Sequence, residues 1–212
     1  MASIPLKQQY GPTLGKLLQP RWRATAPMVR VILLVLATGL LALILGAVLT
    51  LRNTSYSHSG EVPFSFDYKD LHPITPDPGG YVKIARHSAR GLESSYAVAP
   101  LLLAPYAGSL TGELPLVAAG YTRSLVHRFA HLEIEGEGKT RINSTLSGYQ
   151  VLYKALLGGR TVYGRDVMLL PSTPGARKGV VVEMLSTEVA TVAKPVGSSG
   201  VLETPLKTFA FG

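Results

Sequence analysis

Between Arg30 and Arg52 the chain carries an unbroken apolar run, VILLVLATGLLALILGAVLTL, with no charge and no proline. At about 1.5 Å of rise per residue a helix over this run would be roughly 31 Å long, the thickness of a bilayer's hydrocarbon core, so the pattern predicts a transmembrane helix at residues 31–51. A cleaved signal peptide has a shorter apolar core, about 7 to 15 residues, and a small-residue cleavage site. Val48-Leu49-Thr50-Leu51-Arg52 does not supply one. Thr38, Ala42, Gly46 and Thr50 recur every fourth residue and would share one helix face. Membrane helices approach each other over such stripes of small residues.

Beyond Arg52 the pattern changes. Residues 52–61 are polar and read as a linker. Val62, Phe64 and Phe66 then alternate with Pro63, Ser65 and Asp67, a period-two signal for a strand, and HPITPDPGG at residues 72–80 is a turn region. Tyr81 to Ala85 and Tyr96 to Leu103 are further strands, the second almost wholly apolar and so expected to be buried on both faces. From Leu114 to His131 the period lengthens. Leu114, Val117, Ala118, Tyr121, Leu125 and Phe129 follow three- and four-residue steps, with Pro115 in the expected first turn of a helix. The remainder reads as an antiparallel meander: Leu132 to Glu137, Tyr149 to Lys154, Thr161 to Leu170 and Gly179 to Leu185, with turns at Gly158-Gly159 and at residues 171–175.

The expected fold class is α+β: one N-terminal transmembrane helix, then an antiparallel sheet domain with helices packed on it. Four segments follow, namely a basic tail at 1–30, the span at 31–51, the linker at 52–61 and an extracytoplasmic domain at 62–212. The order FSFDY, central helix, GYQVLYKALLGGRTVYGRDVMLLP, KGVVVEML and closing PLKTFAF resembles the PsbP-like α/β/α sandwich, including bacterial cell-envelope proteins of the LpqN type. The resemblance spans residues 62–211 and rests on strand order and apolar spacing. It implies an antiparallel sheet covered by helices and an accessory role without catalysis. It brings no catalytic residues with it, and the apolar helix stands where lipoprotein members carry a lipidated cysteine.

Charge supports the same placement. Of the 21 basic residues, Lys7, Lys16, Arg21, Arg23 and Arg30 precede the apolar run with no acid among them. The rest of the chain holds 16 basic and all 13 acidic residues, 16 − 13 = +3 of the net +8. A basic segment beside an apolar run marks the cytoplasmic side of a membrane. Arg21, Trp22, Arg23, Arg30 and Arg52 are therefore expected at the membrane interface, with the C-terminal domain outside the cytoplasm. No basic-aromatic motif points to nucleic acid. The absence of cysteine removes disulfides, thiolate metal sites and cysteine nucleophiles together.

Candidate chemistry is sparse. His127 and His131, four apart at the end of the expected helix, have the spacing of two metal ligands, but Arg128 stands where a zinc hydrolase would place its glutamate base. Glu133, Glu135 and Glu137 alternate as a solvated strand face would, with no calcium loop beside them. No Gly-x-Ser-x-Gly elbow or phosphate-binding loop is present. Asn53-Thr-Ser and Asn143-Ser-Thr are formal glycosylation sequons. The expectation is an accessory or scaffold protein of the cell envelope, not an enzyme, with no cofactor or metal. Its partners would be the membrane and an envelope protein, lipid or small ligand. The alternative is a membrane-tethered hydrolase or metal-dependent enzyme using His127 and His131.

Overall fold

In the computed structural model, residues 27–51, 53–104, 110–143, 145–172 and 176–212 are described, with the side chains of residues 30, 33, 42–51, 110 and 111 left out. The chain divides into two units, 1–52 and 53–212.

The first unit contains helix α1 (Pro27–Leu51). Its described large apolar side chains, among them Met28, Ile32, Val35, Leu36 and Leu40, are all exposed. Among the described residues no helix is long and apolar enough to cross a membrane, which corrects the expected transmembrane helix. The described side chains end at Leu41. Of the small-residue stripe only Thr38 has a described side chain. Its hydroxyl donates to the carbonyls of Leu34 at 2.8 Å and Val35 at 3.0 Å, within its own helix. Ala42, Gly46 and Thr50, and the interface residues Arg21, Trp22, Arg23 and Arg52, lie outside the described residues or side chains, as does the side chain of Arg30.

The second unit is mostly antiparallel sheet. Strands β1 (Thr54–His58), β2 (Phe64–Tyr68), β3 (His72–Ile74), β4 (Val82–Ser88) and β5 (Gly91–Leu102) precede helix α2 (Leu110–Arg128). After it come β6 (Ala130–Ile142), β7 (Leu146–Leu157), β8 (Arg160–Leu169) and β9 (Lys178–Ser186), then a short 3₁₀ turn, α3 (Glu203–Thr208) and β10 (Ala210–Phe211). Seven strands form one sheet in the order β3-β4-β5-β9-β8-β7-β6, and β1-β2-β10 form a second of three.

This corrects the expected class, because helices are few. α2 packs on one face of the large sheet, where Leu114, Ala118, Leu125 and Phe129 meet Val151, Tyr153, Met168 and Val181. The other face is covered chiefly by the small sheet, with Phe64, Phe66, Leu202, Leu206 and Phe209 against Tyr96, Val98, Val167 and Val182. The reason lies in FSFDY and TFAF. Their aromatic residues alternate with period two, so they pack as strands, and Phe64 stacks on Phe209 with ring centroids 5.6 Å apart. Thr54–His58, expected within a polar linker, is a strand for the same reason: Tyr56 lies 5.3 Å from the Phe66 ring, while Ser55 and Ser57 face solvent. Pro115, expected in the first turn, falls inside α2, which begins earlier.

Candidate functional site

Two acids sit among Val162, Met168, Val181 and Leu185 on one face of the central strands. Asp166 of β8 and Glu183 of β9 are register partners, so both project to the same face, the one under α2. Asp166 is completely buried. Two residues seven apart on α2, Tyr121 and Arg128, reach down from the same side of the helix to meet them.

The Tyr121 hydroxyl lies 3.0 Å from Asp166 Oδ2 and 2.7 Å from Glu183 Oε1. Arg128 forks onto Glu183, with Nη1 2.7 Å from Oε1 and Nη2 2.9 Å from Oε2. Tyr153 donates to Asp166 Oδ1 at 3.3 Å. Burial first, and then the charge of Glu183, holds the Asp166 carboxyl well above the usual carboxylate range. Burial and the two acids push the Tyr121 hydroxyl far up as well. The hydrogen bond to Glu183 is the main cause that raises Arg128 further above its ordinary value.

One proton order satisfies all of this. Tyr121 has a single hydrogen and donates it to the nearer, ionised Glu183, while accepting from a protonated Asp166. The chain Asp166 to Tyr121 to Glu183 to Arg128 is then electrically neutral and closed on itself. The geometry that allows it includes Gly164, which pairs with Tyr153 in the β7–β8 ladder. A β-carbon there would run into the Tyr153 ring.

At its outer end the cluster opens onto a cleft of about 380 Å³. Ala97 and Ala99 of β5 line it, Ala97 being the register partner of Glu183 on the side away from β8. Their small side chains leave a hollow. The loop 76–80 forms the opposite wall, held by an ion pair of Lys83 with Asp77 at 2.9 Å and by the Gly80 amide donating to the Asp77 carbonyl at 2.8 Å. The cleft thus has proline, glycine and alanine walls with the Arg128–Glu183 pair at one end.

The residues singled out from sequence are not drawn into this site. His127 closes α2, but the helix ends at Arg128 and His131 lies in β6 with φ 50°, so the helical relation between the two histidines is lost. Among the described residues no group of three or more His, Asp or Glu side chains is placed to hold a metal ion. Glu133, Glu135 and Glu137 are exposed on β6, where a bulge between Ile134 and Gly136 interrupts their alternation. The Asn143 amide nitrogen donates to the Phe209 carbonyl at 2.6 Å and so ties the turn after β6 to the segment after α3.

Asp166, Glu183, Tyr121, Tyr153 and Arg128 were not readable as a site. The signal was a lone acid inside each of two apolar strands, VVVEML and GRDVMLL. An isolated buried acid demands partners. Their identity depends on the fold.

No family model matches the chain, and no characterised protein matches its sequence. Among solved structures, one from Bacteroides thetaiotaomicron is 10% identical with a TM-score of 0.47 and covers 76% of this chain, which spans about half, 49%, of that protein. LpqN of Mycobacterium tuberculosis, described as involved in cell envelope biogenesis, is 7% identical with a TM-score of 0.47 over 76% of this chain and 91% of its own. The Ran-binding protein Mog1p of Saccharomyces cerevisiae is 10% identical with a TM-score of 0.47 over 75% and 95%. Of the expected resemblance, LpqN is present among these structures and a PsbP-like class is not shown, and these scores support no statement about activity.

Proposed function

We propose that this chain is an accessory binding protein associated with a membrane of the cell envelope, and that the cleft beside Arg128 and Glu183 holds its partner. One observation carries the reading: an open, mostly apolar hollow lies next to ionisable groups that are already satisfied by one another. A catalytic acid or base must exchange a proton with a substrate. Asp166 has no exposed surface, and Tyr121 is engaged on both sides. A ligand site, by contrast, is commonly a concave apolar surface with a few fixed polar groups at its edge. The partner suited to this cleft carries an apolar segment for Ala97 and Ala99 and a polar group that meets the Arg128 end.

Membrane association draws its support from the first unit. Apolar side chains exposed on every side of a helix are uncommon in a chain surrounded by water, and α1 exposes them along its described length. The basic residues before it favour an anionic surface.

The test places a photo-crosslinking residue at Pro78, on the cleft wall, in the full chain within the membranes of expressing cells. A discrete adduct is expected. Ala99→Trp, which fills the hollow, should reduce that adduct by roughly tenfold while leaving the unfolding temperature near that of the native chain, as an apolar anchor removed from its pocket does. Adduct formation that is indifferent to Ala99→Trp in a folded protein would remove the cleft from the function.

A further inference from the structure

β6 is the outermost strand of the seven-stranded sheet, and among the described residues no strand pairs with its free edge. Unpaired edges are templates for further pairing, and proteins commonly blunt them with charge and bulges. Register breaks near Ala130/Glu133 and Ile134/Gly136 confine the regular part of β6 to Gly136–Ile142. The charges there do not simply repel. Glu135 and Glu137 come first, Lys139 and Arg141 last, with Gly138 between them. All four charged side chains are exposed, and none forms an ion pair among the described residues.

We propose that two copies of this chain associate through β6, paired antiparallel about a two-fold axis at Gly138, so that their large sheets join into one. In such a contact residue i of one copy meets j of the other, and j meets i. An axis at Gly138 sets Glu137 opposite Lys139 of the second copy, twice, within the regular part of the strand. Neighbouring registers fail. An axis at 137 or 139 sets Glu137 or Lys139 against its own copy. An axis at 136 would set the regular residues 137–142 against the bulged stretch 130–135, and one at 140 opposes Lys139 to Arg141. Opposite charges across a strand pair stabilise it and like charges destabilise it, so the charge order selects one register.

Gly138 is a second, independent observation. Its backbone is not in the left-handed region, and an added β-carbon would meet nothing within 4 Å. Nothing within the described fold requires glycine there, although glycine weakens a strand and often marks a place where another backbone comes close. Beside the edge, Ile134 and Val192 are 38% and 58% exposed and give the contact an apolar flank.

The test uses the full chain in mild detergent, where the absence of native cysteine leaves no background. At the axis the two Cα atoms would be about 4.5 to 5.5 Å apart, within disulfide range, whereas residues 139 of the two copies would be beyond it. Under mild oxidation Gly138→Cys should give a disulfide-linked dimer, and Lys139→Cys roughly tenfold less. Adding Lys139→Glu to Gly138→Cys sets acid opposite acid and should reduce the cross-link several-fold; adding Glu137→Lys as well should restore it, as charge complementarity across an interface requires. Association through α1 would ignore these changes. No cross-link at 138, equal cross-linking at 138 and 139, or charge variants that leave the yield unchanged would each overturn the proposal. Positions 137 and 139 are exposed and a β-carbon at the half-buried Gly138 meets nothing, so the fold should stay intact, and an unchanged unfolding temperature checks this.

Discussion

At the scale of single residues, the protonation of Asp166 has a thermodynamic signature. An acid whose folded pKa is raised holds its proton in the folded state after the unfolded chain has lost it. Stability from such a group is complete below the unfolded value, near pH 4, and declines as pH rises toward the folded value. Burial and Glu183 both push Asp166 in that direction. Asp166→Asn keeps a neutral side chain of similar shape and removes the dependence. Its stability relative to the native chain should therefore improve as pH rises from 5 to 8, with a slope of at most about 1.4 kcal/mol per pH unit. Denaturant titrations of both proteins at the two pH values give the difference, in which other titrating groups cancel. A difference independent of pH would mean that Asp166 is ionised in the fold.

At the scale of elements, α2 acts as a lid held by both oil and charge. Phe129, just beyond its last turn, is 9% exposed and lies 5.5 Å from the Tyr153 ring. Phe129→Ala should destabilise the unit by about 3 to 5 kcal/mol, as large aromatic truncations in a core do. Chemical denaturation measures it, and a loss under about 0.5 kcal/mol would move this ring to the surface class. The apolar steps of Leu114, Ala118 and Leu125 made the buried face of α2 readable in advance, because period 3.6 is a local property. The alternation in β2 and the turn at Gly158-Gly159 were readable for the same kind of reason. The layer over the other face was not: β10 has only two residues, Ala210 and Phe211, too few to show a period, and its partner is remote. Nor was the strand at Thr54–His58, since Thr, Ser and His read as linker until Tyr56 is seen against Phe66. The cluster around Asp166 failed to show for a third reason: α2, β7, β8 and β9 each contribute one or two members, and sequence spacing carries no information about such a meeting.

At the scale of the whole molecule, residues 53–212 contain both faces of the core. That segment should fold alone, whereas 60–212, which lacks β1, should unfold at a lower temperature because Tyr56 and the outer hydrogen bonds of β2 are lost. Thermal unfolding of the two segments compares them, and identical transitions would make β1 an ornament. The three-stranded sheet has a further effect on how the unit comes into being. β2 near its beginning is flanked by β10 at its very end, and the Asp67 amide is capped by the Thr208 hydroxyl 141 residues later. Phe209, completely buried, is the fourth residue from the C-terminus. A ribosome releases the chain from its N-terminal side, so β2 emerges long before Phe209. The hydrophobic face that β2 and Phe209 share must therefore wait, open, until residues 208–211 have emerged, so the three-stranded sheet closes only after every strand of the large one has been made.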